Sequence, residues 1–326
     1  MNLEAAVKPL SVLKDRDGMA KDSIKIVGFE KDVTLCVAET KGFFSAQGLE
    51  ITFDQTPNST TEISGLLTGK WDVAFDNGDN VVAWNEGQGA DGEVHDLFIF
   101  LGGSRELNQG LFVNLGITEI SGLKDKILGV DASTTGFAVV LRYILQCHDL
   151  FFERDYSFKP VGSSQVRLTE LVAGNIAGAM LNARYVEDSS ALTLRQLAAG
   201  KDYADPYPAR VGLATRKWAH SHRSLLVRFI CAILQAVDWT LESRNKRETV
   251  EIINTRIGRS LEQAEREYHW LLGPPAGLID RCAFNAGSLA TVLDMRHKLG
   301  MIKSPLPSLD KYYDDSFYRE AVALIE

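Results

Sequence analysis

Polar side chains able to hold a small molecule lie along the chain in short clusters, each joined to an apolar run. Thr56, Asn58 and Ser59 precede an amphipathic stretch, and Asp76, Asn77 and Asn80 follow or adjoin the apolar Val73, Ala74 and Phe75. Ser133, Thr134, Thr135 and Gly136 stand before a second amphipathic stretch. Arg167 lies within a third, and Asn182 and Arg184 follow the run from Ile176 to Leu181. Hydroxyl and amide groups ahead of a helix either cap it or face a polar ligand head, and the unpaired N–H groups of the first turn attract anions. Arg167 offers a two-pronged guanidinium for a carboxylate or sulfonate, with a solvated or intramolecular pair as the competing reading. Phe29 offers a ring for stacking or for the core. Glu30, Asp32 and Asp76 are the carboxyl groups that would serve as general base or acid if the chain is an enzyme. The motifs GxSxG, HExxH, GxxxxGK[ST] and GxGxxG after a strand are absent, and none of the six histidines falls in these clusters.

The elements that must position these residues repeat. TPNSTTEISGLLTGKWDVAFDNGDN, from Thr56 to Asn80, runs polar turn, amphipathic helix, Gly, short apolar strand, polar turn. VGSSQVRLTELVAGNIAGAMLNARY, from Val161 to Tyr185, runs the same way. Ile63, Leu66 and Leu67 in the first, and Leu168, Leu171 and Val172 in the second, give the i, i+3, i+4 stripe of a helix. Two such units predict two similar α/β lobes, with polar turns at the carboxyl ends of parallel strands, where open α/β sheets hold ligands. Further strands are expected over 23–29, 49–54, 95–101, 110–114, 126–130 and 210–215. One helix is expected over 33–47 and another over 189–197. From His222 onward the pattern is helical. A helical block cannot form a sheet lobe, so it should pack on the first. The expected division is an N-terminal arm over 1–22, a first lobe of 23–104 plus 214–326, and a second lobe of 105–213, hinged between.

Composition narrows the function class. The chain has 326 residues, a net charge of −8, 45% hydrophobic and 24% charged residues, and no basic block, so nucleic acid is not an expected partner. No apolar stretch approaches the roughly 20 residues that span a bilayer, so no transmembrane segment is expected. The first residues contain no apolar signal region, which predicts a cytoplasmic protein as written, or a periplasmic one if a leader has been removed. Cys36, Cys147, Cys231 and Cys282 show neither a CxxC nor metal-ligand spacing, and neither metal nor cofactor is expected.

KGFFSAQGLEITF, LLTGKWDVAFDNGDNVVAW, LKDKILGVDASTTGFAVVLRYIL and RLTELVAGNIAGAML, in this order, resemble the NMT1/THI5-like and sulfonate/taurine-type substrate-binding proteins. GPPAGLID, TVLDMRHKLG and KYYDDSFYREA are similar to the tail of such proteins, so the likeness runs from Ser23 to Ala321. It implies the type II periplasmic-binding-protein fold. It also implies a protein that closes two lobes on a small polar or anionic organic ligand and, if exported, serves the membrane subunit of an ABC importer. The ligand-facing turns would be 29–32, 56–60, 76–80, 133–136, 162–167 and 182–185. Similar folds also serve enzymes, so the alternative is a cytoplasmic lyase or decarboxylase acting on an aromatic or heterocyclic acid. The CCCFC motif of the related pyrimidine-precursor synthases is absent.

Overall fold

The computed structural model describes residues 21–326 apart from 104–106, 135, 184–185, 187–193 and 274–276. The expected N-terminal arm lies outside these residues as far as position 20, and Asp22 already opens the first strand. Among the described residues ten strands form two five-stranded sheets of one plan. The first contains β1 (Asp22–Gly28), β2 (Leu49–Gln55), β3 (Val73–Asp76), β4 (Leu97–Leu101) and β10 (Val211–Thr215), in the order β2-β1-β3-β10-β4. The second contains β5 (Gln109–Asn114), β6 (Lys126–Val130), β7 (Tyr156–Pro160), β8 (Gly178–Asn182) and β9 (Leu194–Ala199), in the order β7-β6-β8-β5-β9. In each, three strands run parallel and a fourth joins them antiparallel, contributed by chain that has crossed from elsewhere. The architecture is α/β with two lobes, as the repeated units predict.

The helices α1 (Val33–Thr40), α2 (Phe43–Ala46), α3 (Ser59–Leu67), α4 (Gly78–Asn85), α5 (Gly136–Gln146) and α6 (Ser164–Val172) follow the strands. The single helix expected over 33–47 is two, because Gly42 adopts φ 75° and turns the chain left-handed between them. The helix expected over 189–197 is also corrected. Residues 189–193 lie outside the described part, and Leu194–Ala199 is strand β9, whose backbone pairs with β5. That ladder outweighs local helical preference. Strand β7 was not expected: only Tyr156 of its five residues is buried, and it ends in Pro160 on the sheet edge, so its apolar signal is weak.

The carboxyl-terminal block supplies α7 (Arg216–Ser221), α8 (Arg223–Leu241), α9 (Lys246–Ile252), α10 (Leu261–Leu272), α11 (Gly287–Lys298) and α12 (Ser316–Ile325). The 19-residue α8 is long and apolar enough, by length and composition, to cross a membrane, contrary to the expectation that no segment approached that length. Here its Leu226, Phe229, Ile230, Ile233 and Val237 are buried in the core of the first lobe, packed with α1, α2 and α12. The block does not stay on one lobe. Helix α11 packs on both α4 and α5, placing Leu289, Val292, Leu293 and Met295 in a core shared with Val81 and Ile144.

Candidate functional site

The segments that leave β1, β2 and β3 and those that leave β6, β7 and β8 line one cavity of about 750 Å³. Strand direction explains this: parallel strands release their loops, and the N-termini of the following helices, on the same side. Phe29, Glu30, Asp32, Thr56, Ser59, Asp76, Asn77 and Asn80 line it from the first lobe, and Gly136, Arg167 and Asn182 from the second. Asn58, Ser133 and Thr134 are not lining residues. Asn58 accepts a 2.8 Å bond from the Thr61 N–H and so caps α3, while the Thr134 hydroxyl donates to the Gln88 carbonyl at 2.8 Å. Thr135 and Arg184 lie outside the described residues.

Several lining residues were not singled out from sequence. Asp131 directly follows β6, much as Asp76 ends β3, and that position was the available signal. Arg210 precedes β10, and Gln109 opens β5; both strands run antiparallel, so their starts meet the cleft. Glu267 and Trp270 arrive from α10, far along the chain, with no local signal. Glu62 does not line the cavity but lies fully buried behind it.

The ionic arrangement is specific. Arg259 makes two 2.7 Å bonds to Glu30 and a 3.4 Å bond to Glu267. One oxygen of Asp32 accepts from Leu35 N–H at 2.7 Å, capping α1, and the other pairs with Arg210, whose guanidinium lies 4.8 Å from the Phe75 ring centre. Arg167 is buried, and burial lowers its guanidinium to about 10. It donates to the carbonyls of Met180 (3.1 Å) and Gly162 (2.6 Å) and to Ser164 Oγ (2.8 Å), so it braces β8 against the start of α6.

At the junction of the lobes sit three carboxyl groups. The backbone N–H of Ser59 (3.1 Å) and its hydroxyl donate to Asp131, joining the N-terminus of α3 in one lobe to the end of β6 in the other. Asn80 Nδ2 donates to Asp76. Burial, opposed by the Asn77 N–H, pushes Asp76 up to about 6, with Asp131 adding to the rise. Glu62 is pushed well above the carboxylate range by burial first and by Asp76 and Asp131 next. Gly136, at φ 49°, lets α5 begin against Asn77; a Cβ there would lie 3.1 Å from Asn77 Nδ2. Its N–H donates to the buried Asp79, which pairs with the equally buried Arg296. Among the described residues no group of three His, Cys, Asp or Glu side chains is placed to hold a metal.

Two α/β lobes with a cleft at the strand ends define the periplasmic-binding-protein fold. Within that class, the chain belongs to the NMT1-like family, whose model matches residues 26–254. It is similar in structure to the periplasmic nitrate-binding protein NrtA from Synechocystis PCC 6803, with a TM-score of 0.76 and 14% identity over 94% of this chain and 89% of that one. A putative sulfonate ABC transporter's periplasmic sulfonate-binding protein, SsuA from Methylobacillus flagellatus KT, gives a TM-score of 0.61 and 13% identity over 94% and 95%. The desulfurization enzyme DSZB gives 0.60 and 16% over 94% and 100%. At such identity these likenesses establish the fold alone. No curated protein matches by sequence.

Proposed function

We infer that the protein binds a small polar organic molecule by closing its two lobes upon it. The observation that carries this is the single cavity lined by strand-end segments of both sheets, with a hydrogen bond between the lobes at its floor. A volume of about 750 Å³ suits an organic ligand of moderate size, and Phe29, Phe75, Phe137 and Trp270 offer it apolar surface. Support for a role in delivery to an ABC importer's membrane subunit, in the periplasm, comes from the nitrate- and sulfonate-binding neighbours. The deciding experiment is native mass spectrometry of the purified protein, with release and identification of its passenger, followed by calorimetry with that compound. A stoichiometric passenger that rebinds unchanged supports the reading; a chain that neither carries nor binds any small molecule overturns it.

One observation favours a second reading, an enzyme on this fold. Glu62 and Asp76 are neighbouring buried carboxyl groups, both raised by burial and by the charge of Asp131, and such perturbed groups recur where protons are moved. Asp76 is the lining member and would be the general base or acid. A passenger returned chemically altered, with the change lost in Asp76→Asn, would establish this reading.

A further inference from the structure

We propose that the cleft selects a ligand bearing a protonated amine or amidine, seated between Asp76, Asp131 and Asn80, rather than an anion. The inference rests on the two-lobed binding reading and names its ligand class. Its first ground is the bonds left unmade. Asn80 is 2% exposed and lines the cleft, yet its Oδ1 accepts no bond, and Oδ1 of Asp131 is likewise without a donor. Gln109, 8% exposed, leaves its Oε1 unpaired on the same cavity. These are acceptors from both lobes, and among the described residues they outnumber the unpaired lining donor, Asn77 Nδ2; a buried acceptor without a donor is costly. A ligand that carries N–H groups satisfies them; a carboxylate or sulfonate brings only more acceptors.

The second ground is the state of the helix N-termini. Five helices begin at this cleft, and each start already holds a protein acceptor. Asp32 accepts from α1, Asn58 and Asp131 from α3, Asn77 from α4, Asp79 from α5 and Ser163 from α6. The position at which a helix would draw in a small anion is thus taken, in α3, by a carboxylate from the opposite lobe.

Charge is the third ground. Five acidic side chains and two arginines line the cavity. Glu30 and Glu267 share Arg259, and Asp32 has Arg210. Of the remaining two, Asp131 faces Arg167, whose guanidinium is turned to Met180, Gly162 and Ser164, and Asp76 has Asn80 as its side-chain donor. Two lining carboxyl groups thus stand against one arginine whose donors are already engaged, and a monocationic head supplies the missing counterpart.

The test compares matched aromatic probes that differ in head group, at graded linker length: benzamidine and phenethylamine against benzoate, phenylacetate and benzenesulfonate. Affinity is read by ligand-observed NMR and calorimetry on the passenger-free full chain. The cationic probes are expected to bind at least ten-fold more tightly than their anionic counterparts. Asp76→Asn should cut that preference ten-fold or more. In the parent protein, cation affinity should fall as pH drops through about 6, because Asp76, faced by Glu62, Asp131, Asn80 and Arg210, takes up a proton. Selectivity in the unmutated protein needs no variant to fold. Anions binding as tightly as cations would overturn the inference and leave the two-lobed binding reading standing. If neither set binds at any linker length, the inference falls, and the two-lobed binding reading is decided separately by the passenger identified in native mass spectrometry.

Discussion

At the scale of residues, the cleft concentrates carboxyl groups where water is excluded, and this has a consequence for stability. An unfolded Asp titrates near 4, while Asp76 in the fold titrates at about 6. Between those values the folded chain holds a proton that the unfolded chain has released. Stability from this group therefore falls as pH rises from about 4 to about 6 and stays reduced above. Glu62, also raised by burial, contributes in the same direction. Thermal unfolding of the parent and of Asp76→Asn should show the variant gaining relative to the parent as pH rises from 4.5 to 7. A constant difference between them would show that Asp76 is not held protonated by burial. The same crowding explains what sequence reading found and missed here. Asp76 was legible because it ends an apolar run inside a repeated unit. Glu62, beside Thr60 and Thr61 at a helix start, carries no sequence signal of burial, and it joins a buried cluster only through Asp76 and the return of Asp131 from the other lobe.

At the scale of elements, the parallel units owe their spacing to close helix–strand contact. Gly65, in the middle of α3, faces Trp71, which is 4% exposed and donates its indole N–H to Asp54 at 2.7 Å. A Cβ at Gly65 would lie 2.1 Å from two carbons of that ring, so Gly65→Ala must push the helix or the indole aside. Overpacking of this kind costs about 1–3 kcal/mol, which outweighs the gain in helix propensity of roughly 1 kcal/mol from replacing glycine. Urea unfolding should show a net loss, with Trp71 environment reported by fluorescence; a stabilised variant would mean that α3 is free to shift. The core elements β1, β3, β6, α5 and α8 were legible because apolar periodicity and turn residues agree along each of them. Strand β9 and the break at Gly42 were not: one depends on a partner strand distant in sequence, and the other on a backbone angle that a lone glycine does not announce. Site residues followed the same division. Asn77 and Asn80 were readable from their strand, whereas Arg210, Glu267 and Trp270 reach the cleft only through tertiary packing.

At the scale of the whole molecule, two kinds of contact join the lobes, and they differ in how readily they part. Helix α11 buries apolar side chains against α4 and α5 together, Arg296 donates to the Thr134 carbonyl at 3.2 Å, and Gln146 donates to the Lys298 carbonyl at 3.0 Å. Separating this bridge would expose a continuous core. The Gly136 N–H bond to Asp79, itself paired with Arg296, belongs with this bridge, and the other contact at the cleft is smaller: two hydrogen bonds from Ser59 to Asp131. Bonds to a charged acceptor contribute about 1.5–3 kcal/mol each, and every 1.4 kcal/mol is about tenfold in an equilibrium. Opening should therefore proceed by loss of the Ser59–Asp131 contact, with α11 acting as the pivot. Ser59→Ala combined with Asp131→Asn is expected to shift the ligand-free ensemble toward open forms by tenfold or more, seen as a larger radius of gyration in small-angle scattering. Replacing Gln146 by Ala, at the bridge, should leave that radius unchanged, because apolar burial there persists without the bond. If the double variant scatters like the parent, the lobes are held closed by the bridge alone, and ligand entry must rely on movement of the lining side chains.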